Sequence, residues 1–327
     1  MTVSETSTAS AGPARTAPAP IEGRSSGHAG RWRRRAELTL LIGPAALLFI
    51  GFVIVPMVVA VHYSVYRWSG FGPLTDKVGL HNYSYALHDP DFRASVLHNA
   101  IIVALSLLLQ LPLSIALALL LNRRMHGRAA LRLIVFAPYV MSEAITAVIW
   151  LLMLQPHGFV DQVLDVVGLG GWTHQWLADQ HVVLYTIFVV ATWKYIGFGI
   201  ILLLAGLQGI AHELHEAAAL DGASAWQVTR WITLPLLGPT IRIWIFLSVI
   251  GSLQLFDLVW IMTLGGPANA SDTMSVYMID HGFRRYEFGY GSAVAVILFL
   301  ICFAFALVYQ RFALRRDTEG AMTRAVG

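Results

Sequence analysis

The run Leu38–Val61, LTLLIGPAALLFIGFVIVPMVVAV, holds no charged residue in 24 positions. A helix rises about 1.5 Å per residue, so this run can cross the ~30 Å hydrocarbon core of a bilayer. In lipid every backbone polar group has to be satisfied inside the segment, and a helix does that. Five further runs qualify: Ile101–Leu121, Leu133–Leu154, Val182–Leu204, Ile243–Leu264 and the shorter Ser292–Tyr309. Composition agrees. Of 327 residues 57% are hydrophobic and 13% charged, about half the charged share of a soluble domain, and the mean hydropathy is +0.64. The expectation is an all-α integral membrane protein with six transmembrane helices, the membrane domain occupying residues 31–316.

Basic residues set the orientation. Sixteen of the 22 Lys and Arg lie before span one, in the 2–3 and 4–5 connections, and after span six. Five lie on the opposite side: Arg67, Lys77, Arg93, Arg284 and Arg285. Both termini are therefore expected in the cytoplasm. Residues 1–30 are rich in Ala, Ser, Thr, Pro and Gly, too poor in large apolar side chains to form a core, and read as a disordered cytoplasmic tail. Residues 317–327 read as a second tail. The cluster Arg31–Arg35 before an apolar run could mimic an export signal, but 24 apolar residues exceed an h-region and no small-x-small site clearly follows, so a signal anchor is expected.

Catalytic motifs are missing from the sequence. Lys77 and Lys194 follow Asp and Trp, so no phosphate-binding loop of the form GxxxxGK[ST] exists, and no Ser has Gly at both −2 and +2. His212 and His215 stand three apart, one short of the HExxH zinc spacing. The lone Cys302 excludes an internal disulfide and reads as a packing residue. A chain of this kind that moves a solute uphill draws energy from a gradient or a partner.

The longest cytoplasmic connection, 205–238, has its own local structure. Leu214, Ala217, Ala218 and Asp221 follow helical spacing. Gly222 sits where a helix end wants positive φ, Ser224 is placed to cap a second short helix through Trp231, and Pro235 is expected to halt that helix before span five. The result is a stiff elbow; taken alone it could equally lie as an amphipathic helix at the interface.

The residues themselves add more. Glu216-Ala217-Ala218, Gly222, Ile232 and Leu234-Pro235 reproduce EAA-x3-G-x9-I-x-LP, the signature loop of the inner-membrane permease subunits of binding-protein-dependent ABC importers. Val78-Gly79-Leu80-His81-Asn82-Tyr83, Asp89-Pro90-Asp91-Phe92 with Asn99, Trp193-Lys194-Tyr195-Ile196-Gly197-Phe198, and Gly265-Gly266-Pro267 with Thr273 and Phe288-Gly289-Tyr290 resemble the carbohydrate branch, the maltose- and lactose-type permeases. The resemblance covers most of residues 35–312. Two positions depart from it: Ala211, where a proline commonly precedes the loop helix, and Glu143, where the family is usually small, apolar or proline.

This resemblance implies a MetI-like permease fold and a sugar importer for a di- or oligosaccharide in a bacterial plasma membrane, with no enzymatic activity. It further implies a second homologous permease, a cytoplasmic ATPase dimer and an extracytoplasmic solute-binding protein as partners, with ATP and Mg bound by the ATPase and no cofactor in this chain. Glu216, Ala217, Ala218, Asp221 and Gly222 would dock on the ATPase. Alternatives are an ABC permease for glycerol 3-phosphate or another polyol, and a gradient-driven secondary carrier.

Ionisable residues inside spans are costly and mark function. Lys194 falls about 18 Å into span four and Glu143 about 15 Å into span three, at matching depth, which suggests a structural pair and, second, a role at the substrate. Asp257 lies nearer the outer face and reads as a gate or structural group. Sugars offer hydroxyls and apolar C–H faces, so their sites mix polar groups with flat rings. Trp193, Lys194, Tyr195 and Phe198 in span four, with Ser248, Gly251, Ser252 and Gln254 on one side of span five, are the candidate pathway residues. Helix contacts and interfacial belts compete for the same residue types. Trp68, Trp172 and Trp176 read as interfacial anchors.

Overall fold

The computed structural model describes residues 28–123 and 126–314. The chain divides into two units, residues 1–56 and 57–327. The first unit holds a helix that begins at His28, so the expected tail overlaps a helix at His28–Gly30; residues 1–27, and with them the rest of that expectation, lie outside the described residues, as does the tail 317–327. Its apolar part is the start of α1 (Thr39–Tyr63), whose side chains are exposed or half-exposed along its length.

In the second unit the apolar helices are α2 (Pro90–Asn122), the pair α3 (Arg128–Val140) and α4 (Glu143–Met153), α5 (Val183–Gln208), α7 (Gly238–Met262) and α8 (Phe288–Ala313). The short helix α6 (His212–Leu220) lies between α5 and α7. Among the described residues, counting α1, five helices are long and apolar enough to cross a bilayer, or six when the bent pair is taken as one.

α5 is the centre of packing, lying against the end of α2 and against α3. Its N-terminal half joins Ala147, Leu255, Leu258 and Val259 in one buried cluster, and its C-terminal half joins Ala118, Leu121 and Leu237 in another. A third cluster links Phe92, Val249, Tyr277, Val294 and Cys302. Gly197 explains the tight crossing of α5 and α3: a β-carbon there would lie 2.3 Å from the Val135 carbonyl oxygen.

The expected third span, Leu133–Leu154, is not one helix. It breaks at Met141 and Ser142, both extended (ψ 146° and 152°), and the two halves meet at 100°. Pro138 removes a backbone donor in the last turn of α3, and the Ser142 hydroxyl accepts from Ile145 N at 3.2 Å, starting α4 afresh. Helix α7 is likewise interrupted, between Leu253 and Asp257. The carbonyls it frees are claimed from a distance. Asn99 Nδ2 donates to Ser252 O (2.8 Å) and Leu253 O (3.3 Å), and Thr273 Oγ1 donates to Leu255 O (2.8 Å). Asn99 Oδ1 also accepts from Met274 N at 2.9 Å.

The other motif residues have similar work. Asn82 Nδ2 donates to Ser64 O and Tyr66 O (2.8 and 3.0 Å). Asp89 accepts from Asp91 N at 2.8 Å, capping α2, and from the Tyr277 hydroxyl at 2.8 Å.

A membrane cavity between two helix breaks and an exposed elbow

Both interruptions face one cavity of about 360 Å³. Ser106 and Gln110 of α2, Tyr139 and Glu143 at the first break, Phe188, Tyr195 and Phe198 of α5, and Trp244, Ser248, Gly251, Ser252, Gln254 and Asp257 of α7 line it. The rings form a continuous wall. Tyr139 stacks on Phe198 (centroids 5.0 Å apart, planes 23°), and Phe198 packs against Trp244 at 5.7 Å. The polar side is tied together: Ser106 donates to Gln110 Oε1 (2.5 Å) and shares a 2.7 Å hydrogen bond with Ser248.

Two adjacent residues of α5 hold the first break. Lys194, 2% exposed, donates from Nζ to Met141 O at 2.6 Å. A cation on the last free carbonyl of α3 satisfies that group and complements the negative helix end. The Tyr195 hydroxyl donates to Glu143, the first residue of α4. Among the described residues no direct salt bridge joins Lys194 to Glu143; the two act on each other through space, and each makes its own direct contact, one on each side of the break. The break itself is the reason: it turns the Met141 carbonyl toward Lys194 and carries Glu143 past it to the cavity.

Of the candidate pathway residues, Tyr195, Phe198, Ser248, Gly251, Ser252 and Gln254 line the cavity, and two others do not. Trp193 lies off the cavity, its ring edge-on to Trp150 at 5.4 Å, and Lys194 is turned away as described. On a helix, positions 193 and 194 point about 200° and 100° from 195, so all three cannot share a face. Glu143 and Asp257 move the other way, onto the cavity wall, and Asp257 is within side-chain hydrogen-bonding reach of Glu143. Tyr139 and Trp244 join the wall without any announcement in the motifs; Pro138 and Ser142 beside Tyr139 are the signal that the run bends there.

The elbow is the second site. α6 ends with Gly222 N and Ala223 N bonded to Ala219 O (3.1 Å) and Ala218 O (2.9 Å), and Gly222 has φ +76°. Ser224 and Gln227 then form a reciprocal capping box. Pro235 does not stop the following helix. The backbone passes through a wide π turn at Thr229–Thr233 and restarts with Pro235 in a first-turn position, where no N–H is needed. Glu216, Ala217, Asp221 and Gly222 are exposed, whereas Ala218 is buried, packing the elbow from within. Leu220 and Trp226, 90% and 70% exposed, flank the bend and extend its outer face with apolar surface.

Residues 110–318 match the family model of the binding-protein-dependent transport system inner membrane component. This chain belongs to that family. It is a permease, a transporter subunit and not an enzyme, multi-pass in the inner membrane, and the systems of its family work with a solute-binding protein and an ATPase. It is 33% identical over 287 residues to the trehalose/maltose transport system permease protein MalF of Thermococcus litoralis (87% of this chain, 96% of that one). It is 30% identical over 311 residues to the diacetylchitobiose uptake system permease protein NgcF of Streptomyces coelicolor (89% and 87%). In fold it matches a chain of a bacterial ABC transporter involved in import of the acidic polysaccharide alginate, at TM-score 0.76 and 23% identity, covering 88% of this permease and 98% of that chain.

Proposed function

We propose that this permease forms one half of the membrane pathway of an ATP-driven importer for a di- or oligosaccharide. The observation that carries the reading is the cavity: a wall of stacked rings opposite hydroxyl and amide groups, in the middle of apolar helices. Rings match the C–H faces of a sugar, and Ser248, Ser252, Gln110 and Gln254 match its hydroxyls. A second, homologous permease supplies the other half. The solute-binding protein delivers the sugar from outside, and the excess of basic residues puts both termini and the elbow in the cytoplasm. There the exposed face of Glu216, Ala217, Asp221 and Gly222, flanked by Leu220 and Trp226, docks on an ATPase dimer that binds ATP and Mg. Closure of that dimer moves the elbow as a rigid piece and rocks the helices, giving alternating access.

A phosphorylated polyol fits less well, because its phosphate needs cationic donors and Lys194 is committed to Met141 O. A gradient-driven carrier would have no use for the elbow. The test is reconstitution with the partner permease, ATPase and binding protein in proteoliposomes. ATP-dependent uptake of a labelled saccharide is expected; uptake driven by an ion gradient without ATP would overturn the reading.

A further inference from the structure

We propose that the helix Phe159–Val166, in the connection between α4 and α5, lies flat in the bilayer interface at the membrane face opposite the elbow, with one side sunk into lipid. This goes beyond the transport reading and does not depend on which solute is carried. At about 100° per residue, the helix has three sides roughly 120° apart. On the first, Val160 and Leu164 are half-buried and Asp161 is buried, and Val160 packs on the cluster around the N-terminal half of α5. On the second, Gln162 and Asp165 are exposed. On the third, Phe159, Val163, Val166 and the following Val167 are exposed as well, Val166 at 87%. A helix with a packed side, a polar side and a bare apolar side at nearly equal angles fits the line where protein, water and lipid meet.

Its position singles out lipid as the occupant. Ile145, Val148 and Leu152 give α4 an exposed apolar stripe that ends just before this helix begins. The cluster beneath Val160 includes Leu154, Val183 and Leu184, where α4 has ended and α5 starts. The other end of α5 leads into α6, so the helix sits at the far end of a membrane-crossing segment from the elbow. The turn that sets its direction is held firmly. Asp161 accepts from His157 N (2.9 Å) and from Trp176 Nε1 (2.8 Å), and a β-carbon at Gly158 would lie 2.7 Å from the Met153 carbonyl oxygen. Trp176 is thereby turned inward. Trp172, further along the same connection, is 70% exposed, the placement of an interfacial ring. Residues 154–182 contain no Lys or Arg, so the contact rests on apolar area and not on attraction to anionic headgroups. Because α4 is cut off from α3 by the break, this anchor gives the first wall of the cavity a second hold.

The test uses the assembled transporter, both permeases with the ATPase, in phosphatidylcholine vesicles. A nitroxide is attached to a single cysteine placed by Gln162→Cys, Val163→Cys, Asp165→Cys or Val166→Cys, all at exposed positions. Signal from the buried Cys302 and from the other subunits is subtracted with the unaltered complex. Collisions with oxygen, which concentrates in lipid, are compared with collisions with a water-soluble nickel chelate. The oxygen-to-nickel ratio at positions 163 and 166 is expected to exceed that at 162 and 165 about fivefold, at a depth of about 5–10 Å below the headgroups. Nickel collisions as frequent at 163 and 166 as at 162 and 165 would place the apolar side in water and overturn the proposal. Labels at 163 and 166 that neither reagent reaches would place a protein neighbour on that side and overturn it equally.

Discussion

The permease bends its chain sharply at two places, the elbow around Gly222 and the break at Met141–Ser142, and secures them in opposite ways. At the elbow the partners are local: Gly222 and Ala223 bond back to α6, and Ser224 and Gln227 cap each other. At the break only the Ser142 cap is local. The Met141 carbonyl is held by Lys194, 53 residues on, and Glu143 by Tyr195, 52 residues on. Water explains the difference. Exposed backbone groups at the elbow can fall back on solvent, so local chemistry suffices, whereas at membrane depth an orphaned carbonyl has no substitute. One bend is built to be presented, the other to be held.

The largest effect is expected at the presented bend. Proline at 222 cannot adopt φ +76° and loses the N–H that bonds Ala219 O. Gly222→Pro should abolish ATP-coupled uptake while membrane insertion and assembly of the two permeases persist; uptake near the unaltered level would show that the elbow carries no force. At the held bend, Lys194→Met strands a buried carbonyl and should cost roughly 2–3 kcal/mol, read as a lowered thermal midpoint of the purified complex. The double change with Glu143→Leu sharpens the contrast. Were the two in direct contact, removing both would recover much of the loss; because each has its own hydrogen-bond partner and they attract only through space, recovery should be partial, under about half of the loss.

Both bends differ in how far the sequence announces them. Gly222, Ser224 and the EAA spacing lie within twenty residues, and each has a conformational meaning by itself, so the elbow is readable from local chemistry. Only Pro235 misleads, since the wide turn before it lets the helix run on. The membrane helices are readable from apolar length alone. What length cannot reveal is interruption. Leu133–Leu154 contains Pro138, Ser142 and Glu143, but lipid-spanning helices tolerate such residues when neighbours re-satisfy the backbone, and the neighbour that does so is Lys194. For the same reason Lys194 reads as a pathway residue until the Met141 carbonyl is seen beside it. Asn99 and Thr273 are recognisable by motif, yet their task, holding carbonyls of an α7 that is itself interrupted, is a tertiary fact.

A third bend, the loop after α7, supplies a test of a polar group left without a partner. Asp272 is 6% exposed, and its Oδ1 has no hydrogen bond among the described residues. Burial, then the nearby Asp280, pushes its carboxyl from 3.8 up to about 7, with Asp91 adding and Arg285 opposing. The folded protein therefore holds this proton over a range where the unfolded chain has released it. Stability from this residue is full below about pH 4 and falls as pH rises through about 7. A tenfold difference in proton affinity between the two states is worth about 1.4 kcal/mol, so the loss by pH 8 is a few kcal/mol at most. Asp272→Asn should flatten the fall in thermal midpoint between pH 5 and 8; an unchanged slope would assign the dependence elsewhere.

The smallest effect returns to the elbow and separates stiffness from shape. Ser224→Ala removes one half of the capping box, worth about 1 kcal/mol, but leaves Gly222 and the outer face of α6 as they are. The turn should fray at Ala225–Val228 without losing its bend. ATPase activity measured alone should hardly change, while the sugar moved per ATP hydrolysed should drop, because a softer elbow absorbs part of the motor's stroke. If uptake and hydrolysis stay in proportion, the elbow needs only its shape, and the contrast with the membrane break, where the Met141 carbonyl and Glu143 are held by distant side chains, is one of position and not of mechanical demand.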